Sequence, residues 1–244
     1  QREGVGGCKD IGARQFVGGR DGNVSVRISD ATVLVTPAGM RKGDIEVEDL
    51  ILVDRQGRVV EGRGKASTET GMHLRIYELR PDVRAVAHAH PPVATGFAAA
   101  GIALTECVLP EVIVGLGQVP LTRYATPGTP ELSDALDPVI RDHDAWLLQN
   151  HGAVAVGEDV LSAYQRLETV EHSARILLVA RLLGGPDPLT RTQVDELIAA
   201  RGRYGVREGL AACDTPAAAD CTCDEEIVER VTERVLGALR AGKS

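Results

Sequence analysis

Residues 84–90, Arg-Ala-Val-Ala-His-Ala-His, constrain the chain more than any other stretch. Their alternation has the period of two that reads as a β-strand, and Pro91-Pro92 stops it. Upstream, Met72, Ile76 and Leu79 recur at helical spacing over residues 69–80, ended by Arg80-Pro81. Downstream, a helix is expected over about 92–100. A strand between two helices points to a layered architecture in which helices cover a sheet.

The rest of the chain repeats that alternation. Residues 22–28 and 32–36 read as neighbouring strands. Residues 50–53 and the next few read as a strand pair about the Gln56-Gly57 turn. A further helix starts at about 129, and residues 145–150 and 152–157 read as two strands around His151. Residues 158–183 read as one long helix, and 190–204 as the last core helix. Strands outnumber the crossovers of a regular βαβ series, so the expected fold is α/β with a mixed or antiparallel sheet and helices on its faces.

The two ends differ in character. Residues 1–209 have the pattern of one compact domain. Residues 210–223 are small, polar and turn-prone, and read as a flexible linker. In residues 224–244, Ile227, Val228, Val231, Val235, Leu236 and Leu239 form one apolar stripe opposite Glu225, Glu229, Glu233 and Arg234, the pattern of an amphipathic helix. The chain opens with Gln rather than Met, an expectation that residues precede it.

Composition excludes several function classes. The 244 residues carry a net charge of −8 and only 3% aromatics. A nucleic-acid binder ordinarily shows a basic footprint, and a single-strand binder aromatic platforms, so no nucleic-acid partner is expected. No run reaches the roughly 18 apolar residues of a membrane span, so no membrane partner is expected either. No basic-then-apolar leader opens the sequence. The five cysteines are odd in number. Cys8 and Cys107 read as standing alone, which points to a reducing, intracellular, cytoplasmic setting. Cys213, Cys221 and Cys223 fall in the linker, where a metal or redox cluster is disfavoured.

The chemistry gathers around the histidines. On a strand, residues i and i+2 project to one face, so His88 and His90 aim two imidazoles at one spot. Asn150-His151-Gly152 occupies the turn between two apolar strands and offers a third ligand. Glu69, in the first turn of the 69–80 helix, offers a carboxylate, and His73, one turn on, competes with it. Three His and one carboxylate suit Zn²⁺ or another borderline divalent cation. His143 and His172 lie in charged surroundings and read as solvated. A second set of residues is small and polar: Gly22-Asn23, Thr36-Pro37-Ala38-Gly39 and Ala66-Ser67-Thr68. Singly each is an ordinary turn or cap. Together, with Ser67 or Thr68 capping the helix at Glu69, they point to an anion site beside the metal.

These motifs resemble the class II aldolase/adducin family, most of all its bacterial L-fuculose-phosphate aldolases. The resemblance runs from about Gly12 to Tyr204. It rests on DGNVSVR at 21–27, TPAG at 36–39, KASTET at 65–70, HLRIYELRPDVRAVAHAHPP at 73–92, YATPGTPEL at 124–132, QNHGAVAVG at 149–157 and the 160–175 helix. It implies a three-layer αβα fold and Zn²⁺ held by Glu69, His88, His90 and His151. It implies that Glu69 is also the acid/base, and that Gly22, Asn23, Ala38, Gly39, Ser67 and Thr68 line a phosphate pocket. The implied reaction cleaves a ketose 1-phosphate, such as L-fuculose 1-phosphate or a related deoxy-sugar phosphate, to dihydroxyacetone phosphate and an aldehyde. The enediolate so formed is stabilised by the ion as a Lewis acid. A 4-epimerase or a sugar-acid phosphate decarboxylase uses the same site, and adducin-like binding modules lack the metal set.

One position departs from the family pattern. Where fuculose-phosphate aldolases carry a Tyr after an Ile-Pro pair, this chain has Val114, which transfers no proton. Glu111 is the candidate replacement. The resemblance also implies a homotetramer in which residues such as Tyr204 complete a neighbour's site. Residues 224–241 resemble an encapsulation peptide, which implies shell proteins of a bacterial microcompartment as partners.

Overall fold

In the computed structural model, residues 2–214 are described, and they form one compact unit. The elements run α1 (Arg2–Ala13), β1 (Asn23–Arg27), β2 (Thr32–Val35), β3 (Ile51–Asp54), β4 (Val59–Glu61), α2 (Thr70–Leu79), β5 (Ala85–Ala89) and α3 (Pro92–Ala99). They continue with α4 (Pro110–Gly115), β6 (Leu121–Thr122), α5 (Pro130–Ile140), β7 (Ala145–Leu148), β8 (Gly152–Gly157), α6 (Val160–Leu182) and α7 (Arg191–Ala200). The eight strands form one sheet in the order β4-β3-β2-β1-β5-β8-β7-β6. All neighbours are antiparallel except β6 and β7, so the sheet is mixed, as the strand count implies.

The centre of the sheet is covered on both faces. Along β5, Ala85, Ala87 and Ala89 face one core and Val86 the other. β8 divides in the same way, with Ala153 and Ala155 against Val154 and Val156. The alanine face meets α6, which contributes Ala163, Leu167, Val170 and Ala174, together with α1 and α3. Short side chains there let a long helix lie close to the strands. The valine face meets Met72 and Ile76 of α2 and Leu132, Leu136 and Ile140 of α5, with Trp146 of β7 fully buried among them. Two apolar cores on opposite faces of one sheet make the three αβα layers.

At the end of β7 remote from His151, buried Asp144 accepts ion pairs from Arg80 at 2.8 Å, Arg166 at 3.3 Å and Arg207 at 2.8 Å. One carboxylate thus ties α2, α6 and the chain beyond α7 to the sheet. His143, expected to be solvated, is instead buried beside it. Its Nδ1 donates to the Val139 carbonyl, a local contact that the surrounding charges of the sequence conceal. His172 is exposed.

Residues 210–214, expected as the start of a linker, pack on this unit. The Ala211 N–H donates to the Asp142 carbonyl and the Asp214 N–H to the Thr105 carbonyl. Arg201 donates to the carbonyls of Ile113 and Leu210. Cys213 forms a disulfide with Cys107, 106 residues earlier. Cys107 therefore does not stand alone, which removes one support for the reducing compartment, and Cys213 is a core residue rather than part of a linker cluster. Residues 215–244, with Cys221, Cys223 and the amphipathic stripe, lie outside the described residues. Among the described residues no helix is long and apolar enough to cross a membrane.

Candidate metal centre

His88 is the fixed point of the site. It lies on the central strand β5 and is fully buried. Its Nδ1 is 2.9 Å from the Ala153 carbonyl on β8. A carbonyl only accepts, so Nδ1 carries the hydrogen and Nε2 presents a lone pair to the site. β5 ends at Ala89, and the His90 N–H donates to the Phe16 carbonyl, outside the strand ladder. His90 Nε2 then stands 3.2 Å from His88 Nε2. His151 follows Asn150, a non-glycine residue with a left-handed φ of 57°, in the turn between β7 and β8. The three rings form a near-equilateral triangle, with centroids 5.0, 4.8 and 4.9 Å apart.

One ligand nitrogen from each ring lies within 4.8 Å of the others, so His88, His90 and His151 could hold a metal ion. Glu69, the residue before α2, closes the fourth side: Oε2 is 3.3 Å from His88 Nε2 and Oε1 is 3.2 Å from His151 Nε2. Three imidazoles and a carboxylate around one point are a donor set for a borderline divalent cation. Gly152 makes room for it. A Cβ there would come within 2.5 Å of His90 Cδ2 and 2.6 Å of the Ala89 carbonyl oxygen.

Burial disfavours the charged form of two of the three rings. It lowers His90 and His151 to about 4, with the neighbouring His88 acting in the same direction. Burial alone would raise the Glu69 carboxyl, but His88, His151 and the Asn23 amide outweigh it and hold the group well below the usual carboxylate range. His73 is lowered to about 3, again by burial first. An unfolded chain protonates each His near about 6.5, so between that value and about 4 the unfolded state binds more protons. The stability these three His contribute is therefore complete above about 6.5 and lost as pH falls towards 4. The melting temperature of metal-free protein, followed by circular dichroism, is expected to drop steadily from pH 7 to pH 5. A flat profile would contradict the burial of these rings.

His73, expected to compete as a ligand, does a different job. It faces away from the triangle into a buried hydrogen-bond chain. Asn23 Nδ2 donates to Glu69 Oε2 at 2.7 Å, and His73 Nε2 meets Asn23 Oδ1 at 2.5 Å. Ser25 Oγ lies 2.6 Å from His73 Nδ1 and 2.8 Å from the Tyr77 hydroxyl. The ionised Glu69 accepts only, which fixes every link: Asn23 turns its amide nitrogen to Glu69, His73 donates from Nε2, Ser25 donates to Nδ1, and Tyr77 donates to Ser25. Ser25 and Tyr77 escape sequence reading, because a Ser on a strand and a Tyr on a helix face carry no signal of their own.

The small polar segments do converge. Thr36 joins them: its Oγ1 accepts from the Val24 N–H, its own N–H donates to the Val24 carbonyl, and its carbonyl accepts from the Ser67 N–H. The Ala38 N–H donates to the Lys65 carbonyl, which holds TPAG against KAST. Gly22 and Gly39 have φ of 71° and 76°, and a Cβ on Gly22 would come within 2.7 Å of the His88 carbonyl oxygen. Ser67 Oγ accepts from the Glu69 N–H, so Ser67 precedes Glu69 in a tight turn and Glu69 itself takes the N-cap position. Asn23 stands among these segments, but both ends of its amide are spent on Glu69 and His73.

Glu111 lies elsewhere. It is exposed on α4 and lines a cavity of about 390 Å³ with Arg14, Phe16, Glu168 and Arg175, a lining that includes none of the four candidate ligands. Val114 is half-buried and Tyr204 is 71% exposed. Glu171, unremarked in the sequence, is buried in α6 and accepts from the N–H groups of Val93 and Ala94. It thereby caps α3, which has no side-chain cap of its own and begins two residues after His90.

A mixed sheet between two helical layers, with three His and a Glu meeting at the end of its central strands, defines an α/β protein whose three His could hold a metal ion. The chain belongs to the class II aldolase and adducin N-terminal domain family, whose model matches residues 3–178. The L-fuculose phosphate aldolase of Methanocaldococcus jannaschii is 31% identical over 72% of this chain and 94% of its own. The 3-oxo-tetronate 4-phosphate decarboxylase of Pectobacterium atrosepticum is 31% identical over 68% of this chain and 78% of its own. A solved L-fuculose 1-phosphate aldolase superposes with a TM-score of 0.76 at 31% identity, covering 81% of this chain and 93% of that one.

Proposed function

We propose that this chain is a Zn²⁺-dependent aldolase cleaving a ketose 1-phosphate, L-fuculose 1-phosphate or a related deoxy-sugar phosphate, to dihydroxyacetone phosphate and an aldehyde. The observation that carries the reading is the placement of Glu69. It touches two of the three imidazoles and is steered by Asn23, as a group must be that alternates between ligand and acid/base. A divalent ion held by His88, His90, His151 and Glu69 supplies Lewis-acid polarisation of the substrate's carbonyl and hydroxyl oxygens.

The residues do the rest. Ser67, Thr68, Gly22 and Gly39 bind the phosphate through hydroxyls and backbone N–H groups, Ala38 shapes the pocket with its N–H held by the Lys65 carbonyl, and together they hold C3 of the sugar over the site. When the C3–C4 bond breaks, its electron pair stays on C3. Glu69, which takes up a proton from solvent in the substrate complex, delivers it to C3 and so forms the CH₂OH of dihydroxyacetone phosphate. Uptake of the C4 hydroxyl proton falls to a group outside this set. We assign it to a neighbouring copy in a homotetramer, for which the exposed Tyr204 is a suitable donor of side chain.

The similarity to a decarboxylase favours a second reading, loss of CO₂ from a 3-oxo sugar-acid phosphate on the same site. Zinc-loaded protein incubated with dihydroxyacetone phosphate and a panel of aldehydes separates the two. The aldolase reading expects a ketose 1-phosphate from at least one aldehyde. No carbon–carbon bond formation, with CO₂ release from an oxo-acid phosphate, would replace it by the second reading.

A further inference from the structure

Lys42 is an unusual residue to find inside this molecule. It is 2% exposed, in a short turn that α1 covers. Nζ donates to the carbonyl of Arg20 at 3.1 Å and of Met40 at 2.8 Å, which spends two of its three hydrogens. No ion pair joins it to a carboxylate among the described residues. Cys8, buried next to it, is pushed up to about 12 by its own burial, so it stays a neutral thiol and supplies no counter-charge. A buried ammonium is ordinarily matched by an anion, because two neutral carbonyls do not return what leaving water costs.

The two carbonyls are not arbitrary. Arg20 opens the loop that leads into Gly22 and Asn23, and Met40 closes the one that contains Ala38 and Gly39. Lys42 therefore clasps two of the three segments that Thr36 brings together, and no carboxylate pairs with it directly: burial lowers it, and Asp21 and Glu69 favour its charge only from beyond ion-pair distance. We propose that Lys42 is a positioning residue for the anion pocket: it fixes the spacing of these two loops, and the phosphate of the substrate adds the counter-charge that Asp21 and Glu69 supply only from a distance. This rests on the phosphate pocket of the proposed function. It adds a residue that no motif marks and that touches no reacting atom.

Inorganic phosphate is the probe, titrated by calorimetry into the zinc-loaded full chain. The unaltered protein binds it, whereas Lys42→Met, close in length but uncharged, binds it at least about tenfold more weakly. Zinc content stays at the level of the unaltered protein. A Lys42→Met protein with undiminished phosphate affinity would overturn the role of Lys42 and leave the pocket standing. Zinc and phosphate affinity falling together would mark a merely structural residue and overturn it equally. If the unaltered protein binds no phosphate, the pocket reading falls and takes this one with it. Should Lys42→Met not fold, ¹⁵N-lysine labelling of the unaltered protein reads the same point. The Lys42 ammonium resonance shifts on adding phosphate, and an unmoved resonance refutes the proposal.

Discussion

A His88→Ala protein should purify folded, without bound zinc and without aldol activity. His88 is the one ligand whose orientation the sheet dictates, since the Ala153 carbonyl on the neighbouring strand holds its Nδ1–H. Losing an outer partner of a metal ligand costs about 10–100-fold in affinity, and losing the ligand itself costs more. The Ala153 carbonyl is left without that partner, a destabilisation of about 1–3 kcal/mol. On the same face of β5, Val86 keeps its place in the valine-side core, and the ladder to β1 and β8 is backbone, so the sheet should survive. Elemental analysis of zinc per chain, beside a far-ultraviolet circular dichroism spectrum, checks the point. Full zinc occupancy in the variant would show that the ion sits somewhere other than among these three rings.

His88 also shows why much of the site was legible beforehand. A strand has period two, so an HxH pair at its end converges by geometry alone, and a strand bounded by Pro91-Pro92 is hard to misread. The same holds for β7 and β8, whose apolar runs bracket His151. What escaped were features with no period of their own. α1 carries Gly4, Gly6, Gly7 and Gly12, which weaken any helical pattern. Close neighbours account for two of them: a Cβ on Gly7 would meet Val160 Cγ1 at 2.3 Å, and one on Gly12 the backbone nitrogen of Gly43 at 3.0 Å. α4 has six residues and β6 two, too short for periodicity to register.

The pairings that matter most to the site are long-range. His73 reaches Asn23 across 50 residues, Glu171 reaches Val93 across 78, and Cys107 reaches Cys213 across 106. Composition cannot announce such contacts. Residues 210–214, Leu-Ala-Ala-Cys-Asp, read as the start of a linker because they are mostly small, show no period and run into the Thr-Pro-Ala-Ala-Ala stretch that follows. The segment is held instead by backbone hydrogen bonds, a disulfide and the burial of Leu210 and Cys213, none of which has a period to read. In each case side-chain chemistry was readable and partnership was not. Glu111 is the reverse case: its chemistry suits a second acid/base, and the fold places it on a cavity whose lining includes none of the four candidate ligands.

Glu69→Gln tests the step that defines the reaction. Glutamine keeps the shape and leaves an oxygen to accept from Asn23, so the chain through His73, Ser25 and Tyr77 can persist. It removes the charge and the exchangeable carboxyl proton. The expected result is weaker zinc binding, since a ligand charge is lost, and, at saturating zinc, kcat for cleavage reduced about 10²–10⁴-fold, the range a positioned acid/base supplies. KM for the sugar phosphate should change little, because the phosphate contacts come from other segments. A sharper signature is hydrogen exchange at C3 of dihydroxyacetone phosphate in deuterated water, since that exchange needs the Glu69 proton transfer but no aldehyde. The variant should lose exchange and cleavage in the same proportion. If cleavage fell while exchange continued at the original rate, proton transfer at C3 would belong to another residue, and Glu69 would be a ligand only.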